Sequence, residues 1–468
     1  MIIILTLQLA IVVSLIRASR QSLENALPVF AFFVVLMPLE SRLVIPGVCD
    51  FNTMRLSLMT LLVLYLVKRE PSTQDTIPLK WLMLLNVAWA ICSTVFSLSL
   101  VTSIKQMISQ VLEYYLLYFL FVRITTKLQT LYSVLYAVVM AMGLCCVFSL
   151  LEAYDHWSIL RIFPSNLWIT YDGGRDPLYI EWGRGLRVRS TFPHPILFGD
   201  ALAVTIPIAL FLLSIWEKGR QRLMLSISLL LMIWAIYKTS SRGPWIALGM
   251  CCFLLFLLTN GRVRKYLLIT AVAGGLIVVS RPGIWETIAG LYQSSTDATS
   301  PVGASYLYRD TLSQTIQQVV DKDATRFVFG YGLGTFRELG LDITFLNVTQ
   351  RWYTCDDNWA LFIYELGYGG LLITSCLLFA PLWIAFRNLR LLPRPENRLS
   401  GVLLTSLLGF YFLLLSVAGY SWGQQGYLNW ILISIVVCHS RLAFQVEEQE
   451  NLLEVETREL DVYDFDVA

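Results

Sequence analysis

Charge is what this chain has least of. Asp, Glu, Lys and Arg together make up 15% of its 468 residues, against roughly a quarter in a water-soluble domain. An ordinary soluble globule is thereby excluded. The two signs nearly cancel, leaving a net charge of +2, which excludes the basic footprint of a nucleic-acid-binding surface. The nine cysteines show no metal-ligand spacing, so no metal is expected. Most of them, such as Cys145, Cys146, Cys251 and Cys252, sit in apolar runs, where cysteine behaves as a small hydrophobe. Cys49 and Cys355 lie outside those runs and are read first as two free thiols, with a disulfide between them as the alternative. The first residues, MIIILTLQLAIVVSLI, carry no basic leader and are read as a retained helix rather than a cleaved signal.

What the chain has in abundance is apolar sequence: 56% hydrophobic residues and a mean hydropathy of +0.63. Apolar runs repeatedly approach the ~17–25 residues that cross a bilayer. They lie near 1–16, 27–46, 51–67, 79–99, 105–123, 130–151, 194–215, 222–238, 244–259, 265–280, 358–386, 401–418 and 424–440. The fold class is all-α: a polytopic membrane protein of about 12–13 transmembrane helices with one large external loop. The expected organisation is N-terminal transmembrane helices over 1–151, an external connector at 152–193 and further transmembrane helices over 194–280. A large external loop at 281–357, C-terminal transmembrane helices over 358–440 and an acidic tail at 441–468 complete it.

Alternate short connectors are basic. Lys68 and Arg69, Arg123 and Lys127, Lys218 and Arg220, Arg262 and Arg264, and Arg387 and Arg390 mark one side. The positive-inside rule makes that side cytoplasmic. The tail, with nine acidic residues over 442–468 against the single basic Arg458, then lies in the cytosol as a solvated or partly helical segment. The connector 152–193, the turn TSSRG at 239–243 and the loop 281–357 face outward.

On that outer face Arg242 is out of place. It opens an apolar run, at a helix N-terminus whose dipole disfavours a cation. One reading is a snorkelling anchor. The other is an anion site: Ser240, Ser241 and the free amides of a first turn shaped by Pro244, with the guanidinium as a fork for phosphate oxygens. A second outer cation is Arg309, in GASYLYRDTLSQTIQQVVDKD. There Leu307, Leu312, Ile316, Val319 and Val320 recur at helical spacing and place Arg309 in the first turn. Its plainer reading is an exposed ion pair with Asp310 or Asp323, worth little. The glycine-rich FGYGLGTF at 329–336 has no following Lys-Ser/Thr and reads as a tight turn, not a phosphate loop.

Asp356, Asp357 and Asn358 precede the next apolar run. They are either helix caps or a carboxylate base beside a polar amide. Arg189, His194 and Asp200 gather at the start of another helix, with His194 held between two prolines. Gln106, Gln110 and Glu113 share one helix face, the pattern of intramembrane polar residues facing a cavity or partner. Trp157, Trp168, Tyr171, Tyr179 and Trp182 in the connector suit either an interfacial belt or sugar rings.

These pieces, in this order, resemble the bacterial O-antigen ligase and O-antigen polymerase superfamily of integral-membrane glycosyltransferases, with a GT-C-like fold. The matching stretches are STFPHPILFGDALAVTIPIAL, TSSRGPWIALG, YRDTLSQTIQQ, FGYGLGTF and DDNWALFIYELGYGG, within about 186–386. The resemblance implies a bacterial inner-membrane enzyme acting at its periplasmic face, with no cofactor. The donor it implies is undecaprenyl-pyrophosphate-linked oligosaccharide; its partners are a saccharide acceptor, the lipid bilayer, a flippase and chain-length-control proteins. Arg242 and Arg309 look like the arginines that hold the pyrophosphate. The position before the ELG module is usually histidine in the ligases, and here Asp356 or Asp357 stands there as catalytic base. Arg189, His194, Ser241, Asn358 and Glu113 are expected to bind substrate. Polymerisation is the leading expectation, with ligation to a lipid or protein acceptor second and transport of a lipid-linked glycan third.

Overall fold

The computed structural model describes residues 2–45, 49–68, 76–170, 176–181, 185–216, 219–259, 261–280, 290, 301–345 and 348–465. Among these, the side chains at 45, 49, 273–280, 301–306 and after 446 are not described. The described chain is mostly helical, with three two-stranded antiparallel hairpins.

Among the described residues, six helices are long and apolar enough to cross a membrane: Leu100–Ile124, Leu128–Tyr154, Pro195–Ile215, Arg220–Lys238, Asn358–Leu391 and Gly423–Val446. Ile2–Ala18, Leu23–Leu36, Lys80–Val95 and Arg242–Leu258 are apolar but shorter. Thr53–Lys68, Arg262–Ser280 and Glu396–Leu413 are also helical. Each run expected from hydropathy thus contains helix, although the run 27–46 is helical only to Leu36 and goes on into the strand Arg42–Ile45, and among the described residues six helices are both long and apolar enough to span. The tail is a continuation of the helix Gly423–Phe465.

Pro195–Ile215 is apolar on every face, and almost all of it is buried. A helix of that kind belongs in the interior, and it packs against Leu128–Tyr154, Arg220–Lys238, Arg242–Leu258 and Glu396–Leu413. His194 caps it, its Nδ1 accepting from the Ile196 amide at 3.1 Å, and Pro195 takes the first turn, where no amide partner is needed. The outer helices keep apolar side chains on their outward faces, such as Leu230, Trp383 and Leu372, each about two-thirds exposed. That surface is far more apolar than water-facing helices present.

The basic connectors meet at one end of the bundle. Glu24 accepts from the Thr126 and Lys127 amides at 2.8 Å each, Glu396 takes Tyr132 and His439 at 2.9 and 2.7 Å, and Arg222 donates to Tyr266 at 2.6 Å. Residue 239 lies at the far end of Arg220–Lys238, 19 residues or about 28 Å away at 1.5 Å per residue.

The 301–357 segment is built onto a break in Asn358–Leu391. Gly367 departs from helical geometry, with φ 69°. A break frees carbonyls that must find other donors. Tyr331 and Gly332 donate their amides to Tyr364 O and Glu365 O at 2.8 and 2.9 Å. Ser93 Oγ and Trp89 Nε1 donate to Glu365 O and Leu366 O at 2.9 and 3.0 Å. FGYGLGTF is therefore a turn, as its glycines suggest: Gly330, Gly332 and Gly334 have φ of 72°, 101° and 76°. Its role is to lay main chain against main chain. A Cβ on Gly330 would come within 2.5 Å of the Glu365 carbonyl carbon.

A Cβ on Gly367 would collide with the Val328 carbonyl in a backbone conformation that costs non-glycine residues ~1–2 kcal/mol. Gly367→Ala is expected to destabilise the protein by about 2 kcal/mol or more, read as a lowered Tm in detergent. Gly249→Ala, where nothing lies near the added methyl, is the silent control.

Candidate functional site

The helix Arg242–Leu258 begins where the chain doubles back. Ser240 takes the left-handed conformation, φ 48°, which is uncommon outside glycine and asparagine. Ser241 then stands extended at the N-cap without bonding the helix through its side chain.

The turn is held by a residue from a different segment. The hairpin Tyr179–Glu181 and Gly185–Arg187 pairs Tyr179 with Arg187, and the Arg187 side chain is 2% exposed. It donates from Nε to Thr239 O at 2.8 Å and from Nη2 to Ser241 Oγ at 2.6 Å. Nη1 is ion-paired with Glu181, and the guanidinium lies 5.5 Å from the Tyr179 ring centroid.

A recess of ≈ 60 Å³ opens beside this turn. Arg187, Arg242 and Arg309 line it, with Ser241, Gly243, Pro244, Ile196 and Ser416. It holds three cations, no acidic lining residue and a helix N-terminus carrying about half a positive charge. Such a site binds anions, and guanidinium forks suit phosphate oxygens.

Arg309 reaches the recess from Pro301–Val320. The sequence placed it in the first turn of its helix; it is the ninth residue instead, because the helix starts at Pro301. Tyr308, Leu312, Ile316 and Val320 form the buried stripe of that helix. Arg309 pairs with Asp356 at 3.5 Å, not with Asp310 or Asp323; Asp323 faces Arg326 at 3.8 Å. Burial pushes the Asp356 carboxyl above its ordinary value, and the Arg309 guanidinium pulls against that rise.

The neighbours of Asp356 are structural in their contacts. Asp357 caps the Asn358 helix, accepting from the Trp359 and Ala360 amides at 2.9 and 3.3 Å. Its carboxyl is also raised by burial, against those amide bonds. Asn358 pins a distant segment: its amide donates to Leu414 O at 2.8 Å, and its Oδ1 accepts from the Tyr420 amide at 3.1 Å. Cys355 is a buried free thiol.

Arg242, Arg309, Ser241 and Asp356 are thus brought together. His194 stands near them, 3.1 Å from Tyr179 Oη through Nε2, but serves as a cap. Arg189 does not line the recess. It is 1% exposed and donates to the carbonyls of Pro177, Ile169 and Pro193 at 2.8–2.9 Å, tying the connector together. Glu113 lines a different cavity, with Arg55 at 2.7 Å. Of the connector aromatics, Tyr171 and Trp182 fall outside the described residues, as do 281–289 and 291–300 of the long loop.

Arg187 was not among the expected site residues, and Asp200 was noted only for its place at the start of its helix. Arg187 is two positions from Arg189, so strand alternation made it an equal candidate. Asp200 lies one helical turn beyond Ile196 on the same face, is fully buried, and neither carboxylate oxygen has a hydrogen-bond partner; the cation whose field reaches it is Arg309. A lone acid within an apolar run was the available signal.

No protein-family model matches the chain, and no curated protein matches it.

Arg187→Met removes charge-assisted bonds to Thr239 and Ser241, each worth about 1.5–3 kcal/mol. It is expected to speed hydrogen exchange of the amides at 239–243 by tenfold or more, about 1.4 kcal/mol of local opening. Exchange at 239–243 that stays at wild-type rates would show the clamp to be energetically idle.

Proposed function

We propose that this chain is a bacterial inner-membrane polysaccharide polymerase. It takes glycan from an undecaprenyl-pyrophosphate-linked donor and passes it to a second lipid-linked saccharide at the periplasmic face. The observation that carries this reading is the convergence of Arg187, Arg242 and Arg309 on one recess at a helix N-terminus, with a carboxylate on one of those arginines. A pyrophosphate needs several cations and amide donors, and a sugar acceptor needs a base within reach. The resemblance of the TSSRG, YRDT and ELG stretches supports the same chemistry. The apolar outer faces support a bilayer setting, with the basic connectors toward the cytosol.

In the proposed reaction, the acceptor hydroxyl oxygen attacks the anomeric carbon of the donor sugar. A new carbon–oxygen glycosidic bond forms as the bond to the pyrophosphate oxygen breaks. The electron pair leaves with undecaprenyl pyrophosphate, whose growing charge the guanidinium groups stabilise. The hydroxyl proton passes to Asp356. Arg309 keeps that carboxylate ionised before the reaction and is released toward the phosphate as the carboxylate is neutralised. Asp357 and Asn358 set the backbone from which Asp356 projects. A flippase supplying the donor and a chain-length-control protein are the partners this chemistry calls for.

The test is purified protein with lipid-linked oligosaccharide and no nucleotide sugar, read as a ladder on a gel. Arg242→Ala is expected to lower extension by ~100-fold or more, the scale of losing one charge-stabilising donor, while leaving the protein folded. Near-normal extension by that variant overturns the reading. A single added product in place of a ladder assigns ligation instead.

The base must be ionised to act, and burial raises the Asp356 pKa. Activity is therefore expected to fall as pH drops, with an acid limb lying above ~3.9, the ordinary aspartate value. Residual activity of Asp356→Asn is expected to lack that limb. The same limb in both proteins would assign the base elsewhere.

A further inference from the structure

Away from the cationic recess, two adjoining cavities share one wall. A polar cavity of ≈ 230 Å³ and a wider one of ≈ 650 Å³ are both lined by Asp50, Arg55, Gln106, Ser109 and Glu113. The wall is tightly bonded. Arg55 donates to Glu113 at 2.7 and 3.0 Å, to Ser109 at 3.2 Å and to Asp50 O at 2.8 Å. Glu113 also accepts from Tyr427 at 3.2 Å. A π-helical turn at Val111–Tyr115 carries Glu113, the kind of helix defect that often marks functional positions.

The two sides of the wall differ in chemistry. The smaller cavity adds Asn52, Gln110, Trp422 and Tyr427. Its acids are matched, Asp50 by Arg42 at 3.0 Å and Glu113 by Arg55, and Arg337 adds a third cation to the lining. It therefore offers many donors and acceptors, with acids beside its cations, and an aromatic face, whereas the lining of the recess has cations and no acid. That suits hydroxyl-rich sugar rather than phosphate. The larger cavity adds Phe51, Leu58, Met59, Ile108 and Leu112, with Lys105 as its one further charged residue. Ile104, Ile108 and Leu112 form an exposed stripe of the Leu100–Ile124 helix, at 37%, 48% and 45% exposure, so the apolar side opens outward.

We propose that these cavities form one amphiphile site, which holds the acceptor glycolipid with its sugar in the smaller cavity and its hydrocarbon chain in the larger. The identification of the occupant as acceptor rests on the polymerase reading. The placement fits transfer between the sites: Ser416 lines the recess and Ser421 the polar cavity, and five residues of chain span at most ~18 Å. The Asn358 bond to Tyr420 holds this shared segment.

The test uses full-length protein in phosphatidylcholine nanodiscs and an alkyl disaccharide carrying a diazirine in its chain. Adducts mapped by mass spectrometry are expected within 51–59 and 104–112. The double variant Gln106→Leu, Trp422→Ala is expected to lower labelling by about fivefold or more. A sugar-free probe of the same chain length is expected to label equally weakly. Equal labelling by the sugar-free probe, or undiminished labelling of the double variant, overturns the proposal. Arg242→Ala is labelled in parallel and is expected to match wild type. A wild-type protein that labels here yet builds no ladder refutes the polymerase reading while supporting a glycolipid site; one that builds a ladder yet carries no adduct here refutes this inference alone.

Discussion

Holding like charges together is the constraint on which the recess depends. Two guanidinium groups within ~8 Å repel by about 2 kcal/mol at an effective dielectric constant of ~20. Three would splay apart unless something on their far sides restrained them. The restraints are visible for two: Arg187 is bound behind by Thr239, Ser241 and Glu181, and Arg309 by Asp356. Arg242 stands at the start of a packed helix. The strained Ser240 and the uncapped Ser241 belong to the same arrangement.

The bulk of the architecture was legible in composition because a helix in an apolar setting needs only its own backbone bonds and an apolar surface. Length was less legible: hydropathy counts residues, but a run such as 244–259 is short because Ser241 and Thr259 bound the Arg242–Leu258 helix. Arg242, Arg309, Ser241 and Asp356 could be read as a group because cations and acids are conspicuous against apolar sequence. Arg187 against Arg189 could not be separated, since both are buried arginines on the same strand parity and only the chain path decides which one meets the TSSRG turn. The same holds for Glu113, whose partner Arg55 is 58 residues away. The Asp357 cap and the Asn358 pin were half legible: the residue types suit both caps and catalysis, and only the position of Tyr420 distinguishes them.

The polar residues thus divide between two surroundings. Around the recess, three guanidinium groups line a small space with no acid among its lining residues, and around the Arg55–Glu113 wall acids and cations line the space together. Electrostatics of this kind sorts ligands before shape does, since an unmatched cation rewards an anion while a matched pair rewards neutral donors and acceptors. The segment from Leu414 to Trp422 walls both places and is tied at both ends of its turn by one residue, Asn358.

The break at Gly367 has a consequence for how the chain is made. Every donor that fills the freed carbonyls lies upstream: Trp89, Ser93, Tyr331 and Gly332. During vectorial synthesis, with earlier parts folding first, the break meets its partners as soon as it emerges from the ribosome. The recess has no such order. Arg187 precedes the TSSRG turn, but Arg309 and Ser416 follow it, so the nascent protein carries an unfinished cationic pocket until its last third is made.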